Sequence, residues 1–266
     1  MQYSHLLSFI PRLKEICIGA GEVIMNVKRN DNFGIQVKSD KSPLTLADTS
    51  AHDYIVRCLR LSWPDLIVIS EEDNSSIAYP KNTEQFWIID PLDGTKEFIH
   101  GSGEFTVNIA LIINCKTILG FVYAPALDLL YWGGLGLGAY RTSKGVEEAI
   151  HVDLSHSYKH LRVEVSKSHL DKKTLSFTER LGLTKLSYTG SSLKFCRVAE
   201  GKADVYPRLA PTSEWDTAAA HAVLEGAGGV VVDLTGKTIR YGKSSVINPP
   251  FVASSSLEII KPLLNS

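Results

Sequence analysis

Phe86-Trp87-Ile88-Ile89-Asp90-Pro91-Leu92-Asp93-Gly94-Thr95 passes from an unbroken apolar run to two carboxylates and a Gly-Thr step. The apolar half reads as a buried strand. Asp90 then falls at the strand's end, with Asp93 one turn further on. Strand ends of open α/β sheets are where polar groups converge on a crevice. A carboxylate there is fixed in position without being wholly buried. Gly94 and Thr95 are placed to open a helical turn whose N–H groups can meet a phosphate. Taken alone, the same residues also make an ordinary tight turn, since Asp and Gly favour turns.

Upstream, Leu66-Ile67-Val68-Ile69-Ser70 repeats the pattern: an apolar run ending on the acids Glu71-Glu72. A helix is expected from about Leu46 to Leu61, stopped by Trp63-Pro64, with Thr45 and Asp48 spaced as a capping box. Leu6, Ile10, Leu13, Cys17, Ala20, Ile24 and Val27 form the stripe of an amphipathic helix, which Pro11 must kink or begin. Downstream, Phe105–Ile113, Thr117–Tyr123 and Leu129–Trp132 read as a meander. The Gly-rich, then polar stretch from Gly133 to about His160 is the natural boundary between a lobe 1–155 and a lobe 156–266. Beyond it, strands near Leu161–Val165, Ala203–Tyr206 and Gly229–Val232 alternate with helices near Asp171–Leu181, Ser192–Glu200 and Thr217–Glu225. Asp216 would sit at the last helix start, where an N-cap role is sufficient reason for it. The fold class is α+β or α/β in layers.

The chain has 266 residues, 44% hydrophobic and 21% charged, with a net charge of -1. Such a balance argues against a general nucleic-acid binder, which displays a basic face. No run reaches the roughly 20 apolar residues of a membrane span, and the N-terminus lacks a signal-peptide layout. Cys17, Cys58, Cys115 and Cys196 form no CxxC pair and read as buried reduced thiols. The expected location is the cytoplasm. His151, His156 and His160 have no matched partner motif and read as surface. Gly134-Leu135-Gly136-Leu137-Gly138 misses the dinucleotide spacing.

Four motifs occur in order: Pro43-Leu44-Thr45-Leu46-Ala47-Asp48, Ser70-Glu71-Glu72, Ile89-Asp90-Pro91-Leu92-Asp93-Gly94-Thr95 and Trp215-Asp216-Thr217-Ala218-Ala219. Together they resemble the inositol monophosphatase superfamily of lithium-sensitive, magnesium-dependent phosphatases. The resemblance covers nearly the whole chain and implies an αβαβα sandwich like that of fructose-1,6-bisphosphatase. Lys96-Glu97-Phe98, the segment Gly103–Asn108, Gly190-Ser191-Ser192-Leu193-Lys194-Phe195-Cys196 and Tyr206-Pro207-Arg208 look like the bacterial CysQ branch. Those enzymes are 3′(2′),5′-bisphosphate nucleotidases acting on adenosine 3′,5′-bisphosphate, and the resemblance extends to its phosphosulfate analogue and to sulfate assimilation.

By position, the resemblance implies one Mg²⁺ on Glu71, Asp90 and the Leu92 carbonyl. A second would lie on Asp90, Asp93 and Asp216, with Glu72 assisting a third, weaker ion. Asp48 and Thr95 would orient and deprotonate the attacking water, with Glu71 among the catalytic groups. Gly94, Thr95, His169, Ser191, Ser192, Lys194, Arg208 and Asp216 would contact substrate. Lys194 in a first helical turn conflicts with the helix dipole. A bound phosphate would relieve that conflict, and a lysine reaching into water would also. Variation around Lys41 lies outside these motifs. The rival specificity is an inositol or sugar phosphate on the same metal core. Leu92-Asp93-Gly94-Thr95 also resembles the aspartyl-phosphate signature, but Pro91 stands where that nucleophile belongs, so no covalent phosphoenzyme is expected. Monomer or homodimer, and peripheral contact with the inner membrane, stay open.

Overall fold

Pro11 sets how the chain begins. It has no N–H and a fixed φ, which suit the first turn of a helix and not its middle. The apolar stripe is therefore split into α1 (Tyr3–Leu7) and α2 (Ile10–Arg29), with Pro11 in the first turn of α2. The computed structural model describes residues 3–38, 42–73, 83–155, 160–181 and 184–264. Lys41 and His156 lie outside them. A short antiparallel pair, β1 (Gln36–Val37) with β2 (Pro43–Leu44), leads into α3 (Leu46–Ser62).

A seven-stranded sheet follows in chain order: β3 (Ile67–Ser70), β4 (Gln85–Asp93), β5 (Thr106–Ile113), β6 (Lys116–Ala124), β7 (Leu129–Gly134), β8 (Gly138–Ser143) and β9 (Val146–Ala149). The helix α4 (Thr95–Ile99) separates β4 from β5. Only β3 and β4 run parallel. Two expectations change here. β4 continues through Asp90 to Asp93, with a register break against β5 between them, so Asp93 stands on the strand. The Gly-rich segment after Gly133 holds β8 and β9, which extend the same sheet, and Gly134 to Gly138 is the turn joining β7 to β8.

The second sheet has the order β11-β10-β12-β14-β13. Its strands are β10 (Leu161–Ser166), β11 (Thr184–Thr189), β12 (Val205–Arg208), β13 (Val230–Asp233) and β14 (Phe251–Ser254), interleaved with α5 (Lys172–Arg180), α6 (Leu193–Ala199), α7 (Glu214–Gly226) and a closing α8 (Leu257–Ile260). β11 and β14 were not anticipated from sequence.

Three apolar cores define five layers. α2 and α3 pack on one face of the large sheet through Leu13, Ile16, Leu59, Trp87 and Phe121. The other face meets α6 and α7 and the small sheet through Ile88, Ala110, Phe195, Ala219 and Phe251. The small sheet's outer face is covered by α5 and α8 through Val163, Phe177, Val252 and Ile260. The architecture is thus an αβαβα sandwich, as expected. α7 lies so close to β6 that a Cβ on Gly120 would stand 2.1 Å from the Ala219 carbonyl oxygen. Cys17, Cys58 and Cys196 are buried and free; Cys115 departs from expectation by lying half-buried in the β5–β6 turn at φ +63°. His151 and His160 are exposed. Among the described residues, no helix is long and apolar enough to cross a membrane.

Candidate active site

Two helices start in the same way and aim at one crevice. Thr45 before α3 and Ser213 before α7 are N-caps, each closed into a capping box by an Asp three residues on. Asp48 Oδ2 accepts from the Thr45 N–H at 2.7 Å and hydroxyl at 2.6 Å, and its Oδ1 accepts from the Thr95 hydroxyl at 3.0 Å. Asp216 accepts from the Ser213 N–H at 2.8 Å. It therefore occupies the third position of α7 and is not the N-cap, which corrects the sequence reading. The capping role and the functional one are compatible, because a carboxylate offers two oxygens.

Glu71, Asp90 and Asp216 each bring a carboxylate oxygen within 4.8 Å of the other two. They come from the turn after β3, from β4 and from α7. Asp93 lies outside this trio but lines the same cavity, with Asn108 Nδ2 donating to it from 3.5 Å. Asp90 Oδ1 accepts from the Leu92 N–H at 3.0 Å, and the Leu92 carbonyl accepts from Thr95 at 3.4 Å. Burial, then the neighbouring carboxylates, push the Asp90 and Asp216 carboxyls well up from the usual range. Burial raises Asp93 to about 6, although Lys194 pulls the other way. Glu72 is raised to about 7, by burial and then by Glu71. Asp48 is also raised by burial, against the hydrogen bonds from Thr45 and Thr95.

Crowded, mutually repelling carboxylates of this kind are stable when a cation sits among them. The donors are all oxygen, with no His or Cys in the trio, which suits a hard divalent ion. Among the described residues, the Lys38 ammonium lies against the acids, donating to Glu71 at 2.9 Å and Glu72 at 2.7 Å. Burial alone would lower the Lys38 pKa, but the two acids outweigh it and the net shift is upward. Nothing in the sequence marked Lys38, since it precedes the first motif and meets the acids only through the β1–β2 turn.

The same cavity also carries cationic groups. Lys194 is only 4% exposed, and its ammonium donates to the carbonyls of Ser191 and of Thr189. It does not reach into water. Burial lowers its pKa to about 8. Arg208 donates to the carbonyls of His169 at 3.1 Å and Pro211 at 3.4 Å. Lys96 Nζ lies 3.1 Å from His169 Nε2, and burial followed by Lys96 and Arg208 lowers the His169 pKa. Gly94 caps α4 at φ +91°, a conformation glycine adopts freely. Ser191, a non-glycine at φ +48°, keeps a buried hydroxyl without a protein partner. Ser192 is occupied differently: its hydroxyl donates to Asn108 Oδ1 at 2.8 Å and lies 2.9 Å from Thr106 Oγ1. Acids and cations share one cavity of about 800 Å³, whose lining also includes Trp215, Val246 and Ile247. The two last residues were not legible as site residues beforehand.

The profile of the inositol monophosphatase family matches residues 6–264. The 3′(2′),5′-bisphosphate nucleotidase CysQ of Salmonella typhimurium is 43% identical over 90% of this chain and 98% of its own length. Among solved structures, CysQ from Bacteroides thetaiotaomicron, a bacterial member of the inositol monophosphatase family, superposes with a TM-score of 0.80 at 38% identity. It covers 93% of this chain and 97% of its own. Thermotoga maritima IMPase superposes at 0.77 with 26% identity, over 94% and 92%. Family profile, relatives and fold coincide over nearly the full length, and the chain belongs to the inositol monophosphatase family.

Proposed function

We propose that the protein is a Mg²⁺-dependent phosphatase that releases phosphate from a 3′(2′),5′-bisphosphate nucleotide, adenosine 3′,5′-bisphosphate being the expected substrate. The observation that carries this reading is the pairing, in one cavity, of an oxygen-only acid trio with the cations Lys96, Lys194 and Arg208. An anion with two separate phosphates can engage both metal ions held by the acids and the cationic side chains. The relatives named as bisphosphate nucleotidases support the choice of nucleotide.

Glu71, Asp90 and the Leu92 carbonyl would hold one ion, and Asp90, Asp93 and Asp216 a second, with Glu72 near a weaker third. Bound Mg²⁺ supplies charge neutralisation on the phosphate and acidifies a coordinated water. The chain's own part is positioning, the dominant contribution in phosphoryl transfer. The Thr95 hydroxyl donates a hydrogen bond to Asp48, which leaves the lone pairs of its oxygen to accept from an attacking water. Asp48 is held by Thr45 and cannot swing away. Lys194 and Arg208 stand ready for the second phosphate.

A phosphate-release assay tests this: adenosine 3′,5′-bisphosphate against inositol monophosphate, each with and without Mg²⁺. The expected result is Mg²⁺-dependent release with the nucleotide preferred, abolished in Asp93→Asn while circular dichroism shows an intact fold. Preference for inositol monophosphate would sink the nucleotide assignment, and full activity in Asp93→Asn would sink the site.

A further inference from the structure

The acids and cations of the cavity account for phosphates, but a nucleotide also carries a flat, uncharged base. One stretch of the lining has matching chemistry: Pro211, Trp215, Val246 and Ile247. Ile247 is 48% exposed, unusual for a residue on so well-tied a loop. Val246 accepts from the Glu214 N–H at 2.8 Å, and the Asn248 N–H donates to Thr212 at 2.8 Å. The Asn248 side chain, 4% exposed, donates to the Ser213 carbonyl at 2.7 Å and to Thr217 at 3.0 Å. Ser213 and Ile247 form a β-bridge. Glu214, fully buried, takes the N–H of Gly242 at 2.7 Å and the Lys243 ammonium. The loop 242–248 is thereby fastened to the helix start that carries Asp216.

A scattered surface isoleucine needs no explanation. This one lines the reaction cavity and is rigidly registered to Asp216, and ordered apolar surface facing a ligand site is what an aromatic ring contacts. We infer that Ile247, with Pro211 and Trp215 beside it in the lining, forms the nucleobase wall of the substrate cavity and is a specificity-determining residue for nucleotide over base-free phosphate esters. The inference rests on the nucleotidase reading. The wall discriminates by burying the base's apolar face, a contact a polyol or sugar phosphate cannot return.

The test compares adenosine 3′,5′-bisphosphate with methyl ribofuranoside 3,5-bisphosphate, which keeps both phosphates and lacks the base. Ile247→Ala should raise KM for the nucleotide by about 5-fold and the uncharged polar Ile247→Asn by about 10-fold, both with kcat near wild type. Neither should alter KM for the base-free ester by more than about 2-fold, and Ile247→Leu should restore the nucleotide KM. Unchanged melting temperatures guard against a folding effect. Equal changes on both substrates, or none on either, overturn the inference while leaving the nucleotidase reading intact. A wild-type protein that prefers inositol monophosphate overturns that reading and the inference with it.

Discussion

Lys194 shows how a single buried charge turns into a pH dependence. Its ammonium is enclosed beside Asp93 and over the Tyr206 ring, 5.3 Å from the ring centre. Enclosure favours the neutral amine and brings the pKa down to about 8. Below that value the ammonium is charged and attracts an anionic substrate. Above it the charge is lost, so KM for the bisphosphate should rise as pH passes through about 8, with a smaller change in kcat. Steady-state kinetics from pH 6.5 to 9.5 measure this, and a flat KM profile would show that Lys194 does not meet the substrate. Sequence reasoning left a phosphate contact and a solvated side chain both open for Lys194; the structure encloses it among Tyr206 and the Thr189 and Ser191 carbonyls, a packing that residue spacing does not show.

At the scale of elements, the acids depend on how α3, β3, β6 and α7 are held. His52 of α3 lies one turn beyond Asp48, and its Nδ1 is 2.8 Å from the fully buried Ser70 hydroxyl. That hydroxyl also accepts from the Glu72 N–H at 3.3 Å, and the Ser70 N–H donates to Asp73 at 2.9 Å. The turn carrying Glu71 and Glu72 is thus braced against the helix carrying Asp48. His52→Ala should weaken Mg²⁺ binding by about 10-fold, the usual cost of losing an outer partner of a ligand; His52→Asn should lose less. Calorimetric titration with Mg²⁺ decides, and wild-type affinity in the Ala variant would rule the brace out. On the other side of the site, Gly120→Ala places a methyl against the Ala219 carbonyl. Separating α7 from β6 should cost about 1–3 kcal/mol, readable as a lower denaturant midpoint, and should weaken Mg²⁺ binding through Asp216. A midpoint equal to wild type would mean the layers have slack to absorb it.

For the molecule as a whole, the acid cluster couples folding to pH. Asp93 and Glu72 have folded-state values near 6 and near 7, and burial and neighbouring carboxylates raise Asp90 and Asp216 as well. In the unfolded chain all four return to about 4. Between about pH 4 and 7 the folded, metal-free protein therefore holds more protons than the unfolded one, and its stability falls as pH rises. Metal binding displaces those protons and should reverse the trend. Thermal melts should show a Mg²⁺-induced rise in Tm that is larger at pH 8 than at pH 5.5. A stabilisation independent of pH would mean the cluster is not where the ion binds.

The sequence by itself marked many of the elements, the family and the candidate acids. Apolar runs leading into acids put Glu71 just past one strand and Asp90 on the next, a capping spacing placed Asp48, and the ordered motifs marked the family and its five layers. These are local signals, set by side-chain period, turn preference and backbone capping. Tertiary structure alone decided what those groups face. It drew Glu71, Asp90 and Asp216 within 4.8 Å from three separated elements, set Lys38 across the acid pair, turned the Ser192 hydroxyl inward to Asn108, and brought Ile247 to the cavity wall. None of these follows from spacing, because each depends on how the two sheets and α7 stack, and stacking is settled by the packing of distant apolar faces.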